Sequence, residues 1–495
     1  MAQLPHTEAL ARRTAVPLAE QLAARYAERI EQRLLPAGAR LPSVREAARR
    51  HGLSPSTVVA AYDQLQARGL VEAKRQRGFF VREPRPDLAA RRPAGAREED
   101  SAPRPLVDAT TLIRGMFQRG LPGPGMGTLP ADWLDLPLLQ GALKRAMAGD
   151  DSALHYGEPA GDLRLRQAVA AGLSDLGVPA APSQIVTTAG ATHALDLISR
   201  ALLQAGDAVL VDEPGWAVDF ARLSRMGMKL LPVPRGRNGE PGPDLDVLAA
   251  LLAAHRPRLY VTVSVLHNPT GGSLPLAAAH RLLKLAEAHA LTLVEDDTYA
   301  HLASPHAPRL AALDGLQRTV YVSGYSKILT PNWRVGYLAA PPSLVDRFID
   351  QKLLGGLSTP SLPERAIALC LERGALRRHA ARVIAQLDAA RSRAATRVLE
   401  AGCRFVTPPA GLFGWIDVGC DTDRLAEALL DDGWLTAPGS LFHATPRPTT
   451  LMRINFATSQ DGRFWRALQR QRDSLGAATP AQTAPQRLPL VAVTK

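Results

Sequence analysis

The sequence of 495 residues contains only three cysteines and no long apolar run. Cys370, Cys403 and Cys420 have no CxxC spacing, so they fit neither a disulfide framework nor a zinc site, and we predict no metal. No stretch approaches the roughly 18 apolar residues of a membrane span, and the N-terminus lacks the apolar core of a signal peptide. We therefore expect a chain without membrane segments that stays in the cytoplasm.

Positive charge is concentrated near the N-terminus. Residues 1–97 contain 18 Lys and Arg against 9 Asp and Glu, which places +9 of the net +12 in the first fifth of the chain. The remaining residues, with 41 basic and 38 acidic side chains, are close to neutral. Because 495 residues exceed one ordinary core, this asymmetry predicts a small polyanion-binding head on a larger body. General use of arginine by a GC-rich genome would give the same charge.

Residues 17–82 have the pattern of three helices followed by a hairpin. An apolar stripe with a spacing of four predicts the first helix, through Leu18, Leu22, Tyr26, Ile30 and Leu34. Ser43 caps a second helix over 44–51, with Glu46 three residues on, and Gly52 ends it. Ser54 caps a third helix that begins at Pro55. Two short helices separated by a glycine turn indicate a helix-turn-helix.

Two short strands, 69–73 and 78–81, follow the third helix and enclose the basic tip Lys74-Arg75-Gln76-Arg77. The tip is either a wing against DNA or a solvated turn. Residues 17–81 resemble a GntR-type winged helix, on the residues Leu41-Pro42-Ser43-Val44-Arg45-Glu46-Ala47-Ala48, Thr57-Val58, Ala61-Tyr62, Leu65, Gly69 and Gly78-Phe79-Phe80-Val81. The resemblance implies double-stranded DNA as a partner, contacted by Arg45, Ser56, Thr57, Arg75, Arg77 and Gly78. The chain departs from the family at Pro55, where an arginine is usual.

Composition divides the rest of the chain. Residues 83–106 are rich in Pro, Ala, Arg and acids without apolar periodicity, which predicts a flexible linker. Residues 107–475 alternate strands with helices and predict an α/β domain with a mainly parallel, helix-covered sheet. The predicted strands are 184–188, 208–212, 230–233, 259–265, 291–295, 319–322 and 335–339. The Ala-, Thr- and Pro-rich composition of residues 476–495 predicts a disordered tail. The DNA-binding head is predicted to span residues 1–82.

Polar and aromatic residues follow several of these strands. Residues 188–192, Thr-Ala-Gly-Ala-Thr, lead into a helix whose free N–H groups would suit a phosphate or need only an ordinary cap. Trp216 could stack on a planar ring or pack in the core. Asn268, in a turn-forming segment, could donate to a phenolic oxygen, and the acids 295–297 could hold a pyridinium or form an exposed strand end. Lys327, just past the strand 319–322, could form a Schiff base.

In this order the residues resemble a fold type I aminotransferase over about 107–460, with a smaller C-terminal subdomain. With the basic head in front, the chain resembles the MocR family, GntR-type regulators fused to an aminotransferase-like domain. The resemblance implies pyridoxal 5'-phosphate as cofactor and a homodimer. It implies that Lys327 forms the Schiff base with the cofactor and that Asp296 pairs with the pyridine nitrogen. Asn268 and Tyr299 would bond to the ring oxygen, Trp216 would stack on the ring, and Arg453 would bind a ligand carboxylate. The phosphate would be held by Gly190, Ala191, Thr192, Ser326 and Arg334, with Tyr156 from a second subunit.

One position departs from the aminotransferase pattern. Family members usually carry Ser or Thr three residues before the lysine, and this chain has Gly324 there, with Ser323 one position earlier. Either the phosphate cup loses a hydroxyl or Ser323 replaces it. Three functions are compatible with the sequence: a regulator that senses an amino acid or amine, a working aminotransferase with a DNA-binding head, and a cofactor sensor without turnover. The head favours the regulator.

Overall fold

The computed structural model describes residues 16–74, 77–82, 109–116, 123–148, 154–236 and 241–476. The predicted linker, Arg75 and the tail after Gly476 lie outside these residues. The head consists of α1 (Leu18–Glu31), α2 (Val44–His51), α3 (Pro55–Ala67), β1 (Val71–Lys74) and β2 (Gly78–Val81). No helix within the described ranges is long and apolar enough to cross a membrane.

The head folds as its caps and apolar stripe predict, with one difference. The hydroxyls of Ser43 and Ser54 accept the N–H groups of Glu46 and Thr57, which satisfies a donor at the start of α2 and α3. The predicted stripe continued to Leu34, but α1 ends at Glu31 because the chain turns at Arg33, which has a φ of 54°. Leu34 is still buried, in the turn after the helix.

A seven-stranded sheet forms the centre of the large domain. Its strands are β3 (Ile185–Thr188), β4 (Ala208–Glu213), β5 (Lys229–Pro234), β6 (Leu259–Thr262), β7 (Thr292–Asp296), β8 (Thr319–Gly324) and β9 (Gly336–Ala339). The order is β3-β9-β8-β7-β6-β4-β5, and only β9 runs antiparallel to its neighbours. The mainly parallel sheet is thus confirmed, and each predicted strand overlaps one of these seven, but the strand predicted over 259–265 ends at Thr262.

Helices cover both faces of this sheet, and alternate strand residues enter two different cores. Val209 and Val211 pack in one core and Leu210 in the other, and Val294 and Leu293 divide in the same way. The helices before the small domain are α4 (Ala109–Met116), α5 (Leu136–Ala146), α6 (Leu163–Asp175), α7 (Ala191–Leu202), α8 (Ala217–Arg225), α9 (Leu245–His255), α10 (Leu276–Ala288), α11 (Leu310–Asp314), α12 (Pro342–Gly356), α13 (Ser361–Glu372) and α14 (Ala375–Glu400).

The small C-terminal domain contains an antiparallel sheet of four short strands and two helices. Its elements are β10 (Arg404–Phe405), β11 (Phe413–Asp417), α15 (Thr422–Asp431), β12 (Ala437–Pro438), β13 (Leu451–Asn455) and α16 (Gly462–Gly476), with the strand order β10-β11-β13-β12. The subdomain itself was predicted, but its individual strands were not. Its central strands carry aromatic and cationic side chains toward the large domain, and one of these cations enters the candidate site.

Candidate functional site

The carboxyl ends of the parallel strands meet at one edge of the large sheet and open into a cavity of about 330 Å³. Ligands of open α/β sheets bind at this edge, because strand ends deliver loops and free backbone groups there. Ten of the residues that the sequence predicted line the cavity. They are Ala191, Thr192, Trp216, Asn268, Asp296, Tyr299, Ser326, Lys327, Arg334 and Arg453.

Sheet register explains why the predicted phosphate turn lies beside the lysine loop. Strand β9 lies between β3 and β8, and its first residue, Gly336, pairs with Thr188 at the end of β3 and Gly324 at the end of β8. The turn that follows Thr188 and the loop that carries Lys327 therefore leave the sheet side by side. Two segments that are far apart in sequence form one phosphate-sized corner.

Arg334 closes this corner across the start of α7. Its guanidinium donates to Ser326 Oγ at 3.0 Å and to the carbonyl oxygen of Ala189 at 3.0 Å. It lies over Gly190, where an added Cβ would come within 2.4 Å of Nη2, and Gly190 has a φ of +87°. Only glycine fits both the backbone conformation and this contact. The first N–H groups of α7, which have no acceptor within the helix, complete the corner.

Ser323 does not replace the hydroxyl that the family has at position 324. Ser323 is fully buried, and its Oγ donates to the carbonyl oxygen of Asp297 at 2.8 Å, because successive residues of β8 point to opposite faces. A Cβ at Gly324 would lie 3.1 Å from Gly336 Cα and 3.7 Å from the backbone nitrogen of Ala191. The suggestion that Ser323 substitutes is therefore wrong, and the corner has one hydroxyl fewer.

Lys327 lies three residues past the end of β8, and its side chain lines the cavity. Burial, assisted by the nearby guanidinium groups of Arg453 and Arg334, lowers the pKa of Lys327 to about 8, while Asp296 acts in the opposite direction. About a tenth of this amine is therefore unprotonated at pH 7, far more than for an ordinary lysine. An unprotonated amine is the nucleophile that attacks an aldehyde.

Only one of the three consecutive acids faces the cavity. Glu295 accepts the backbone N–H groups of Leu310 and Ala311 at 2.8 Å and caps α11. Asp297 accepts Arg309 Nε at 2.6 Å inside the core. Asp296 lines the cavity, and burial raises its pKa to about 6 although Thr298 donates to it. The exposed strand end that the sequence left open as an alternative is not found.

Arg453 lies on β13 at the boundary between the two domains. Its guanidinium carbon lies 4.4 Å from the ring centre of Phe413 and 5.0 Å from that of Phe442. Nη1 donates to Asn268 Oδ1 at 2.8 Å, Nη2 donates to the carbonyl oxygen of Gly125, and the buried Nε has no partner within the described chain. Burial lowers the pKa of Arg453 to about 10.

The charges of the cavity match an anionic aromatic cofactor and a carboxylate ligand. Lys327, Arg334 and Arg453 line it, and none of them forms an ion pair with a carboxylate in the part of the chain that the structure describes. Asp296 is the carboxylate that could meet a pyridinium. Arg453 is a buried cation without a counter-ion, which is costly, and Arg334 is an exposed cation at the start of α7, so this donor set fits a carboxylate at Arg453 and a phosphate at Arg334.

A segment that was not predicted from the sequence, residues 123–128, crosses the site. The side-chain amide of Asn455 donates to the carbonyl oxygens of Met126 and Thr128 at 2.8 Å, which fixes the segment on β13. Gly127 faces the cavity, where its added Cβ would lie 3.9 Å from Lys327 Nζ. The glycine spacing of Gly123-Pro124-Gly125-Met126-Gly127 was the available signal. Ile113, His267 and Phe442 are further lining residues that were not predicted.

The remaining predicted residues lie away from the cavity. Tyr156 is 85% exposed on the surface of its own chain, so its assignment to a partner's site stays a prediction. In the head, Arg45, Ser56 and Arg77 are exposed. Thr57 and Gly78 lie at the start of α3 and of β2 and are partly buried. The structure therefore leaves this surface open to solvent.

Comparison with known proteins supports both parts of the chain. Residues 128–470 match the family model for aminotransferase class I and II, and residues 18–81 match that for bacterial regulatory proteins of the gntR family. The chain is 30% identical over 454 residues to the uncharacterized HTH-type transcriptional regulator YdcR of Escherichia coli, with 88% of this chain and 94% of the relative covered. Class I and II aminotransferases use pyridoxal phosphate, so the predicted cofactor is supported.

Two further similarities extend this result. The chain is 31% identical over 347 residues to the "Probable rhizopine catabolism regulatory protein MocR" of Rhizobium meliloti, with 67% of each chain covered. It also superimposes with a TM-score of 0.68 and 26% identity on LysN, an alpha-aminoadipate aminotransferase of Thermus thermophilus, with 74% of this chain and 96% of that one covered. The chain belongs to the MocR-type proteins, in which a GntR helix-turn-helix head is fused to a class I and II aminotransferase domain.

Proposed function

We propose that this chain is a pyridoxal phosphate-dependent transcription regulator that senses an amino acid or amine through its aminotransferase domain. The observation that carries the proposal is the combination of an open, basic helix-turn-helix surface with one cavity that contains Lys327, Asp296 and Arg453. The boundaries at 82, 106 and 475 and the homodimer are part of the proposal. Paired half-sites on double-stranded DNA follow from a two-fold dimer.

Four side chains would hold the cofactor ring. Asp296 would keep a proton on the pyridine nitrogen, and Trp216, at the start of α8, would lie against the ring face. Asn268 and Tyr299 would hydrogen-bond to the ring oxygen. Both are buried, and the edge-to-face contact of Tyr299 with Phe413 at 5.4 Å fixes its orientation. When bound, pyridoxal phosphate supplies an aldehyde and an electron-withdrawing ring.

The ligand would be held at its carboxylate by Arg453. A guanidinium presents a planar pair of donors that matches a carboxylate, and a buried cation without a counter-ion gains most from such a partner. Gly127, which contributes no side chain, leaves space between Arg453 and Lys327 for the carbon that bears the amine. This favours an α-amino acid over an amine without a carboxylate.

A working aminotransferase is the second candidate. Lys327, once released, would be positioned to move a proton at the α-carbon of the ligand, and its lowered pKa suits that role. LysN, which is similar over nearly its whole length, is itself an aminotransferase. The head is the feature that an enzyme does not need.

One experiment, which follows keto-acid product and DNA retention in the same mixture, distinguishes the regulator from the aminotransferase. The purified chain with pyridoxal phosphate is incubated with each of the twenty L-amino acids, a 2-oxo acid and a DNA fragment from upstream of its own gene. We expect DNA retention that depends on one amino acid, with little keto-acid product. Rapid multiple turnover without DNA retention at low salt would replace the regulator by the enzyme, and retention that depends only on the cofactor would indicate a cofactor sensor.

A further inference from the structure

The head contacts the small domain through a cluster of charged residues, which we name the α15 joint. It comprises Arg25, Arg29 and Arg50 of the head and Glu427 and Asp431 of α15. Arg29 Nη1 pairs with Asp431 Oδ1, and its Nη2 donates to the carbonyl oxygen of Leu430 at 2.6 Å. Arg50 lies 3.4 Å from Asp431 Oδ2 and 3.8 Å from Glu427 Oε2, and Arg25 donates to the Asp431 carbonyl.

The joint is buried, unlike most of the ion pairs on this protein. Arg29 and Asp431 are each 9% exposed. The arginines keep the pKa of Asp431 below its usual value despite burial, whereas burial raises the pKa of Glu427 to about 7. Removal of one partner from a buried pair leaves an uncompensated charge, which is far more disruptive than the loss of an exposed pair. The joint is therefore a specific docking contact.

Docking leaves the DNA surface of the head free. The arginines of the joint come from α1 and α2, whereas Arg45, Ser56 and Arg77 remain exposed while the head is docked. A head held in this way can still reach DNA, so the joint does not act by covering the recognition helix. The joint instead fixes the position of the recognition helix, α3, relative to the small domain.

Helix α15 is connected to Arg453, the proposed ligand anchor, by a short series of contacts. Four residues after Asp431, the carbonyl oxygen of Leu435 accepts the backbone N–H of Gly125 at 3.1 Å. The carbonyl oxygen of Gly125 in turn accepts Nη2 of Arg453. Ala437, two residues further on, pairs with Arg453 across β12 and β13. Arg453 and Asp431 thus belong to one small structural unit.

A ligand carboxylate at Arg453 would act on this unit directly. The bonds to Asn268 and Gly125 use one N–H of each terminal nitrogen, so a carboxylate would bind the remaining donors of the same guanidinium and pull on the group that holds Gly125. Any shift of Gly125 acts directly on Leu435 and on the end of α15. Coupling between two sites requires an element whose position both of them bias, and the small domain is in contact with both.

We propose that the acidic end of α15 is the docking surface for the arginine face of the head, and that occupation of Arg453 by a ligand carboxylate is transmitted to the DNA-binding surface through this joint. The inference rests on the proposed function and names the contact that regulation uses. It concerns the joint within one chain. Asp431 is a positioning residue because it touches neither ligand nor DNA.

The test uses the full-length chain loaded with pyridoxal phosphate, as wild type, Asp431→Asn, Arg29→Gln and the double variant. Asp473→Asn is the matched control, because Asp473 is an exposed acid on α16 of the same domain and, among the described residues, forms an ion pair with its neighbour Arg472 alone. The twenty L-amino acids are screened by cofactor absorbance, and the strongest binder is titrated with and without the upstream DNA fragment. DNA affinity is measured reciprocally with and without that amino acid.

In wild type and control we expect the ligand to change DNA affinity by a factor of about 5 to 150, with the same factor in the reciprocal measurement. In both single variants the factor by which the ligand changes DNA affinity should fall to about 1, and the double variant should give the same value. Ligand affinity measured without DNA should stay unchanged. X-ray scattering should give a larger radius of gyration for the variants than for the control.

Coupling that persists in Asp431→Asn and Arg29→Gln would overturn the proposal. Loss of cofactor absorbance in Asp431→Asn alone would indicate a damaged small domain, and Arg29→Gln, which alters only the head, would then decide. A wild-type chain that binds none of the amino acids, or binds one without any change in DNA affinity, would remove the proposed function and this role of the joint with it.

Discussion

Arg453 Nη1 donates to Asn268 Oδ1 at 2.8 Å, and this bond connects β13 of the small sheet to the loop that follows β6 of the large one. The ligand anchor is thus held on the residue that would contact the cofactor ring. A carboxylate at Arg453 and the cofactor at Asn268 would share one hydrogen-bond network. The site requires both domains in their observed arrangement.

Arg453→Gln should weaken binding of a carboxylate ligand and leave the cofactor in place. A hydrogen bond to a charged group contributes about 1.5–3 kcal/mol, so we expect a loss of about 10- to 150-fold in ligand affinity, measured by cofactor absorbance. An amine with the same carbon skeleton and no carboxylate is the control ligand. An equal loss for the amine would show that Arg453 does not read the carboxylate.

Gly190→Ala should weaken cofactor binding by way of Arg334. The new Cβ meets the guanidinium at 2.4 Å and forces a φ of +87° on alanine, a strain of about 1–3 kcal/mol. Gly206→Ala is the matched control, because its φ is +94° and no atom of the described residues lies within 4 Å of its added Cβ. Equilibrium dialysis against pyridoxal phosphate should show weaker retention in Gly190→Ala alone. Similar retention in both would contradict the role of Arg334.

Much of the site was predictable because it depends on local sequence. Each strand of the large sheet is a short run of mainly apolar residues. Asp296 is the last residue of β7, and Trp216 and Lys327 lie three residues past the ends of β4 and β8. The segment around Gly127 was not predictable, since its partner Asn455 lies 329 residues from Met126. The strands of the small sheet, with only two to five residues each, gave too little periodicity. The contact of Arg29 with Asp431, 402 residues apart, had no sequence signal.

Asp296→Asn should stabilise the cofactor-free protein at pH 7.5. Burial raises the pKa of Asp296 from 3.8 to about 6, so the folded state holds its proton more tightly than the unfolded state does. Stability therefore falls as pH rises from about 4 to 6, by at most about 3 kcal/mol. Thermal unfolding should show a gain for the variant at pH 7.5 that shrinks at pH 5. A lower melting temperature at pH 7.5 would contradict this.

Attachment of pyridoxal phosphate to Lys327 should accelerate as pH rises through about 8 and then level off. The unprotonated amine is the nucleophile, and the pKa of Lys327 lies at about 8. In Arg453→Gln the inflection should move to higher pH, because one neighbouring cation is lost. Stopped-flow absorbance measures the rate, and borohydride should trap no cofactor in Lys327→Ala. Trapping in that variant would identify a different lysine.

Arg45→Ala combined with Arg77→Ala should weaken DNA binding on all sequences. Each lost phosphate contact should reduce the dependence of log K on log salt by roughly one. Arg424→Ala removes the same charge from an exposed position on α15 and serves as the control. Fluorescence anisotropy at several salt concentrations measures both quantities. An unchanged slope in the double variant would place the DNA elsewhere.

The glycine at position 324 has a consequence for cellular supply. With Ser323 turned into the core, the proposed phosphate corner has one hydroxyl fewer than the family pattern provides, so it would offer a bound phosphate one hydrogen-bond donor fewer. We expect the chain to release pyridoxal phosphate more readily on dilution than a Gly324→Ser variant, in which Gly336 Cα and the Val335 carbonyl oxygen, each 3.1 Å from the added Cβ, must move slightly to admit the side chain. When pyridoxal phosphate is scarce, cofactor-free chains would then accumulate early. Expression of the regulated genes would respond to the supply of pyridoxal phosphate as well as to the concentration of the amino acid ligand.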